Sequence, residues 1–356
     1  MKFHIYHHLD ADGYCAAATL LRYFLNKIDR KDILTYSCVH SSEMNFSNVD
    51  TGDVVFIVDY SFPDCDKEGL KKLYETTTKE IYWIDHHKTT DNIISESKVF
   101  EEFAENGLVE TSNLYAGCLL TYLWCMMHRL SDQNEILINK TSSEHIHRFL
   151  YEKNTRTISL NVPKWIRLVS DHDTFRHEIN GSMDFVTGLS AYGLTSVFID
   201  PESKLSFVNR YQNDDSMIDT ICNTGKNIND YNEKRNKSLV ERNSFDVMFQ
   251  FVDQETNNSE WYNVTCINGY GNSTVFGEKY NTSDAVCIFD YDGCVYAYSM
   301  YARDDSKIDC SAVALYFKKR YHLNGGGHLH AAGWSAPVNI FEHEEMIEIL
   351  IDHHID

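Results

Sequence analysis

Three apolar stretches of this chain end in the same way, and those endings constrain the fold more than any other feature. "FHIYHHLDADG" runs from Phe3, "DVVFIVDYS" from Asp53 and "EIYWIDHH" from Glu80. Each is a short β-branched and aromatic run that closes on aspartate or histidine. Between them lie segments with helical spacing, the alanine-rich "GYCAAATLLRYFLNKI" from Gly13 and a stretch around Lys67 to Tyr74, with a further strand expected at Ile33 to Val39. Strands alternating with helices predict a parallel sheet covered by helices on both faces. In open sheets of this kind ligands bind outside the carboxyl ends of the strands, so three polar endings can converge on one crevice.

Farther along, "SNLYAGCLLTYLWCMMHRL" from Ser112 is a helix that is apolar nearly all round, which predicts burial against the sheet. "VPKWIRLVSDHDTF" from Val162 reads as another helix that delivers Asp171 and Asp173 near its end. From about Ser216 to Arg242 the apolar residues Met217, Ile218, Ile221, Ile228 and Tyr231 punctuate a polar segment, as expected of a helical connector. Strand-like runs follow in "FDVMFQFV", "NVTCI", "AVCIF" and "VYAYSMYA", with Asp290-Tyr291-Asp292-Gly293 as a hairpin turn. A helix over Cys310 to Tyr321 leads into "NGGGHLHAAGW", and Phe341 to Ile351 reads as a terminal amphipathic helix. The expected architecture is an α/β domain over residues 1–200, a connector over 201–243 and a smaller mixed α/β domain over 244–356.

Charge narrows the choice of ligand. Acidic residues outnumber basic ones 53 to 32, a formal charge of −21, and such a field repels long polyanions. The densest basic stretch is only Lys318, Lys319 and Arg320, so a small or metal-bridged anion fits better than a duplex. Ten cysteines without a CxxC pair suggest reduced thiols. "MKFHIYHHLD" lacks a hydrophobic signal core, and no apolar run approaches the length of a membrane span. A soluble cytoplasmic protein, away from any membrane, is the expectation.

His8, Asp10 and Asp12 alternate just after a strand, and an extended backbone sends alternating side chains to one side. They can grip one divalent ion or be shared between two; the same residues also suit a capped strand-to-helix turn with Asp12 as N-cap. Asp59 closes a buried strand, where an ionised carboxylate needs a partner or a metal to offset its desolvation. Asp85, His86 and His87 supply an imidazole for a metal, a second for phosphate or acid-base work, and a carboxylate to orient them. A second "IDHH", at Ile351 to His354, follows "EHEEMIEILI" and has no such company, so helix-end electrostatics suffice to explain it.

The order "HxDxDG", strand-Asp, "DHH" and a later Asp resembles the DHH phosphoesterase superfamily, and "GGGHLHAAG" resembles that family's DHHA1-type domain, so the likeness covers both halves of the chain. Within the family the pattern looks closest to the nanoRNase and oligoribonuclease branch. The resemblance implies two divalent ions, Mn²⁺ before Mg²⁺: His8 and Asp10 on one, Asp12 and His86 on the other, Asp59 bridging. It places the last ligand at Asp171, by its preceding apolar residues, with Asp173 competing. Asp85 would orient its neighbours, and His87 would contact the scissile phosphate or assist the leaving group. Arg303, Gly326, Gly327 and His328 match substrate-binding positions, where backbone amides of consecutive glycines can approach a phosphate closely.

The resemblance implies a phosphodiesterase that hydrolyses short single-stranded oligonucleotides or small nucleotides, clamped between two domains, and leaves room for a homodimer. Alternatives within the resemblance are a cyclic or linear dinucleotide phosphodiesterase or a phosphatase of 3′-phosphoadenosine 5′-phosphate. A pyrophosphatase is disfavoured by "GGGH", and a catalytically silent nucleotide-binding protein by the intact ligand set.

Overall fold

A computed structural model of the chain describes residues 1–39, 43–78, 80–111, 114–131, 162–196, 198–253, 258–303, 305–342 and 346–351. The polar copy of Asp-His-His at 352–354 lies outside the described residues. The chain divides into two compact units, Met1–Asn229 and Asp230–Asp356. Among the described residues no helix is long and apolar enough to cross a membrane.

Among the described residues of the first unit, five strands form one sheet: β1 (Phe3–His8), β2 (Ile33–Cys38), β3 (Val54–Val58), β4 (Ile81–Asp85) and β5 (Leu108–Val109). They pair in the order β2-β1-β3-β4-β5, and every pairing is parallel. The helices that return the chain include α1 (Ala11–Leu25), α2 (Asp64–Thr76), α3 (Thr90–Glu96), α4 (Lys98–Asn106) and α5 (Gly117–Ser131). Strand side chains alternate between two cores, as a period of two requires. Ile5, Phe56, Val58 and Ile84 pack with α1 and α5, while Tyr6, Val55, Ile57 and Trp83 pack with α2 and α4. With both faces covered, the central strand β3 is apolar and buried throughout, which explains the run "VVFIV".

Because β2 lies on one side of β1 and β3 on the other, the chain changes direction between β1 and β3. That is the topological switch point of a doubly wound sheet, where the loops after neighbouring strands diverge and leave a crevice. His8 closes β1, Asp10 and Asp12 come just after it and Asp59 follows β3, so two of the three polar endings flank this crevice directly.

The second unit is built on a seven-stranded mixed sheet in the order β10-β11-β9-β8-β7-β6-β12. These strands are β6 (Ser244–Asp253), β7 (Ser259–Asn268), β8 (Ala285–Tyr291), β9 (Tyr296–Ala302), β10 (Gly325–His328), β11 (Ala331–Ala336) and β12 (Met346–Ile351). The helix Cys310–Tyr321 packs through Val313, Ala314 and Phe317 against Ala332 and Trp334.

One element differs from the sequence reading: the terminal segment is not a helix. β12 pairs parallel with β6, setting Ile347 against Phe249 and Ile349 against Phe251. Ile347 and Ile349 are buried while Met346 and Leu350 are exposed. "MIEILI" fits a two-residue period as well as a helical one, and the unpaired edge of β6, which offers a ladder of hydrogen bonds, decides between them.

Candidate metal centre

The first cluster arises from how β1 passes into α1. Asp10 is the N-cap: its Oδ1 accepts from the Gly13 amide at 2.9 Å, and its other oxygen, Oδ2, lies 2.7 Å from His8 Nδ1. The cap is therefore Asp10 and not Asp12, which lies inside the first turn and is buried. Burial alone would raise the Asp10 carboxyl, but the His8 hydrogen bond and charge and the Gly13 amide outweigh it and hold it down at about 2.

Asp12 is held from a second direction. Its Oδ1 accepts from the Cys118 amide at 3.0 Å, in the first turn of α5, where exposed N–H groups and the helix dipole favour an anion. Gly117 allows this approach, since a Cβ there would lie 2.7 Å from Asp59 Cβ and 2.9 Å from Asp12 Oδ2. Nothing in the periodicity of α5 pointed to Gly117 or Cys118; the only sequence signal is a glycine opening an otherwise bulky helix.

Asp59 leaves β3 with φ at +53°, a left-handed conformation that aspartate tolerates better than most residues and that re-aims the side chain at the strand end. It is buried, and its Oδ2, like Asp12 Oδ2, has no hydrogen-bond donor. Desolvation, then the charges of Asp12 and Asp10, push the Asp59 carboxyl well above its ordinary range. Desolvation and the charge of Asp173 likewise raise Asp12, to about 6.

At the end of β4, Asp85 is fully buried; its Oδ1 lies 2.7 Å from His87 Nδ1, and its Oδ2 accepts from the Thr90 hydroxyl. His86 turns the other way, into the carboxylates. Its Nε2 lies 3.1 Å from Asp173 Oδ2, 3.3 Å from Asp59 Oδ1 and 3.8 Å from Asp12 Oδ2. Burial pulls the His86 ring down, but the hydrogen bond to Asp173 and the charges of Asp12, Asp173 and Asp85 prevail and lift it to about 9.

Asp171 and Asp173 close the helix Lys164–Asp173 two residues apart, so they face nearly opposite ways. Asp171 is fully buried, and its two oxygens accept from the amides of Glu178 at 3.0 Å and Ile179 at 3.1 Å. Asp173 is the one the fold brings to His86.

Three groups of these residues hold their ligand atoms within 4.8 Å of one another: His8, Asp10 and Asp59; Asp12, His86 and Asp173; and Asp59, His86 and His87. Buried carboxylate oxygens without donors, raised by desolvation and mutual repulsion, fit a cation far better than they fit one another. Mainly oxygen donors with a few imidazoles suit Mn²⁺ or Mg²⁺ better than a thiolate-rich zinc site.

In the second unit, Arg303 Nε lies 2.9 Å from Asp305, and Nη1 donates to the carbonyls of Tyr280 at 3.1 Å and Ser283 at 2.8 Å. Gly326, Gly327 and His328 belong to edge strand β10. At Gly327, φ is +150° and a Cβ would meet Ala332 Cα at 2.5 Å, so only glycine lets this strand lie so close to β11.

Residues 2–146 match the family model described as the DHH family, N-terminal domain. No curated protein matches the sequence. Among solved structures, the chain is similar to a pGpG-specific phosphodiesterase, PggH, from Vibrio cholerae, at 10% identity and TM-score 0.50, covering 95% of this chain and 94% of that one. The exonuclease RecJ bound to manganese shares 13% identity at TM-score 0.44, over 94% of this chain and 85% of that one. An uncharacterised protein from Helicobacter pylori G27 shares 13% identity at TM-score 0.38, over 96% and 94%. At 10% identity the likeness to PggH concerns the fold alone.

Proposed function

The first unit carries the N-terminal domain of the DHH family of phosphoesterases, and from that premise we propose that this protein is a metal-dependent phosphodiesterase of short oligonucleotides or small phosphorylated nucleotides. The observation that carries the reading is the buried, donor-less pair Asp12 Oδ2 and Asp59 Oδ2 beside His86 Nε2, at the switch point of the sheet.

In this reading His8, Asp10 and Asp59 would hold one divalent ion and Asp12, His86 and Asp173 the other, with Asp59 also 3.3 Å from His86 through its Oδ1. When bound, such a pair neutralises phosphate charge, activates a water and stabilises the leaving oxygen. The protein's own residues set the geometry. Asp10 is fixed as a helix cap, Asp12 by the Cys118 amide, and Asp59 by its left-handed backbone. Asp85, buried between Thr90 and His87, holds the His87 ring by Nδ1, and we assign Nε2 of that ring to a phosphate oxygen or the leaving group.

We assign substrate phosphate binding in the second unit to Arg303, Gly326, Gly327 and His328, on the DHHA1-type reading of "GGGHLHAAG". An Arg303 guanidinium already fixed by two carbonyls loses little entropy on meeting a phosphate. The charge of −21 favours short substrates over long strands.

The test is a panel of labelled di- to decanucleotides, cyclic dinucleotides, 3′-phosphoadenosine 5′-phosphate and pyrophosphate with Mn²⁺, run beside Asp59→Ala. Cleavage of short phosphodiesters, lost in Asp59→Ala, is the expected result. Hydrolysis of pyrophosphate alone, or dinucleotide binding without turnover, overturns it.

A further inference from the structure

The helix that delivers Asp173 runs into a loop whose features the metal centre does not explain. Phe175 is 80% exposed, although burying a phenylalanine ring is worth roughly 1.5–3 kcal/mol. Phe175 and His177 both have positive φ, +56° and +51°, a conformation that non-glycine residues keep only where their surroundings over-determine it.

Those surroundings are clear. The amides of Arg176 and His177 donate to the Asp171 carbonyl at 3.2 and 3.4 Å, and those of Glu178 and Ile179 to its carboxylate. The Phe175 amide donates to His172 O at 3.0 Å, and Arg176 Nε to the Thr174 hydroxyl at 3.2 Å. The rings of His172 and His177 sit together, 5.4 Å apart, beside that of Phe175, with centroids 6.5 and 6.1 Å away from it. Asp171 thus holds an aromatic side chain out in water two residues after Asp173, which contacts His86.

We propose that this loop, residues 172–179, is a nucleobase platform on which Phe175 stacks the base of a nucleotide whose phosphate lies at the carboxylate cluster. The proposal rests on the phosphodiesterase reading for its choice of ligand. An exposed ring on a hydrogen-bonded loop two residues after Asp173 is what a sequence-tolerant base contact needs, because every base has a π-face. Asp171 is then the positioning residue of the platform.

The experiment compares KM for a dinucleotide with KM for its abasic analogue in wild type, Phe175→Ala and Phe175→Trp. It also follows the fluorescence of Phe175→Trp on titration with a nucleoside monophosphate. In Phe175→Ala the advantage conferred by a base falls roughly tenfold to a hundredfold, and Phe175→Trp restores it and is quenched by the monophosphate. An unchanged base-to-abasic ratio, or no quenching, overturns the platform even if phosphodiesters are cleaved. Quenching by the monophosphate with no cleavage of any phosphodiester leaves the platform standing and overturns the phosphodiesterase reading instead.

Discussion

Asp173 Oδ2 lies 3.1 Å from His86 Nε2, while Asp171, two residues earlier on the same helix, spends both carboxylate oxygens on the backbone of the following loop. One aspartate faces the crevice and the other ties down the chain leaving it.

That division predicts opposite behaviour for two conservative substitutions. Asp173→Asn lowers metal-supported turnover and metal affinity by at least about a hundredfold, as expected of a lost ligand. Asp171→Asn removes a charged acceptor from two part-buried hydrogen bonds with backbone amides, costs roughly 1–3 kcal/mol of stability and weakens metal binding far less. Calorimetric Mn²⁺ titration and thermal melts of both variants distinguish the roles; equal loss of metal affinity in the two would refute the division.

Gly117→Ala sends a methyl into Asp59 and Asp12. The expected result is a folded protein destabilised by roughly 1–3 kcal/mol, with impaired metal binding because both carboxylates must shift. Ser at the same position should behave likewise. Unaltered Mn²⁺ affinity in Gly117→Ala would show that α5 can move away without consequence.

The carboxylates around His86 also predict how the metal-free protein responds to pH. His86 is raised from 6.5 to about 9, so the stability it contributes is fully present below pH 6.5 and is lost as pH rises through about 9. Asp12, raised from 3.8 to about 6, acts in the same direction lower down: its contribution is fully present below 3.8 and lost as pH rises through about 6. Melting temperature without metal should therefore fall between pH 6.5 and 9. Saturating Mn²⁺ should abolish the fall, since a ligating imidazole is already neutral, and Mn²⁺ affinity should climb over the same interval. A flat metal-free profile would contradict the placement of His86 among the carboxylates.

The alternation of apolar strands and helices, and the aspartate or histidine closing three of those strands, were legible in the sequence because they depend on local periodicity and on what a strand end can expose. They were enough to assemble His8, Asp10, Asp12, Asp59 and His86 as candidates. The resemblance placed the last ligand at Asp171, whereas it is Asp173 that the fold turns toward His86, because both follow the same apolar helix and only the packing of that helix fixes which way each points. The sequence could not reveal Gly117, whose role is the room it leaves for Asp12 and Asp59, or the strand at Met346–Ile351, whose spacing suits a helix equally well. Patterns of neighbours along the chain set the elements; the direction of a side chain and the partner of an edge strand depend on residues far away in sequence, and only the tertiary structure supplies them.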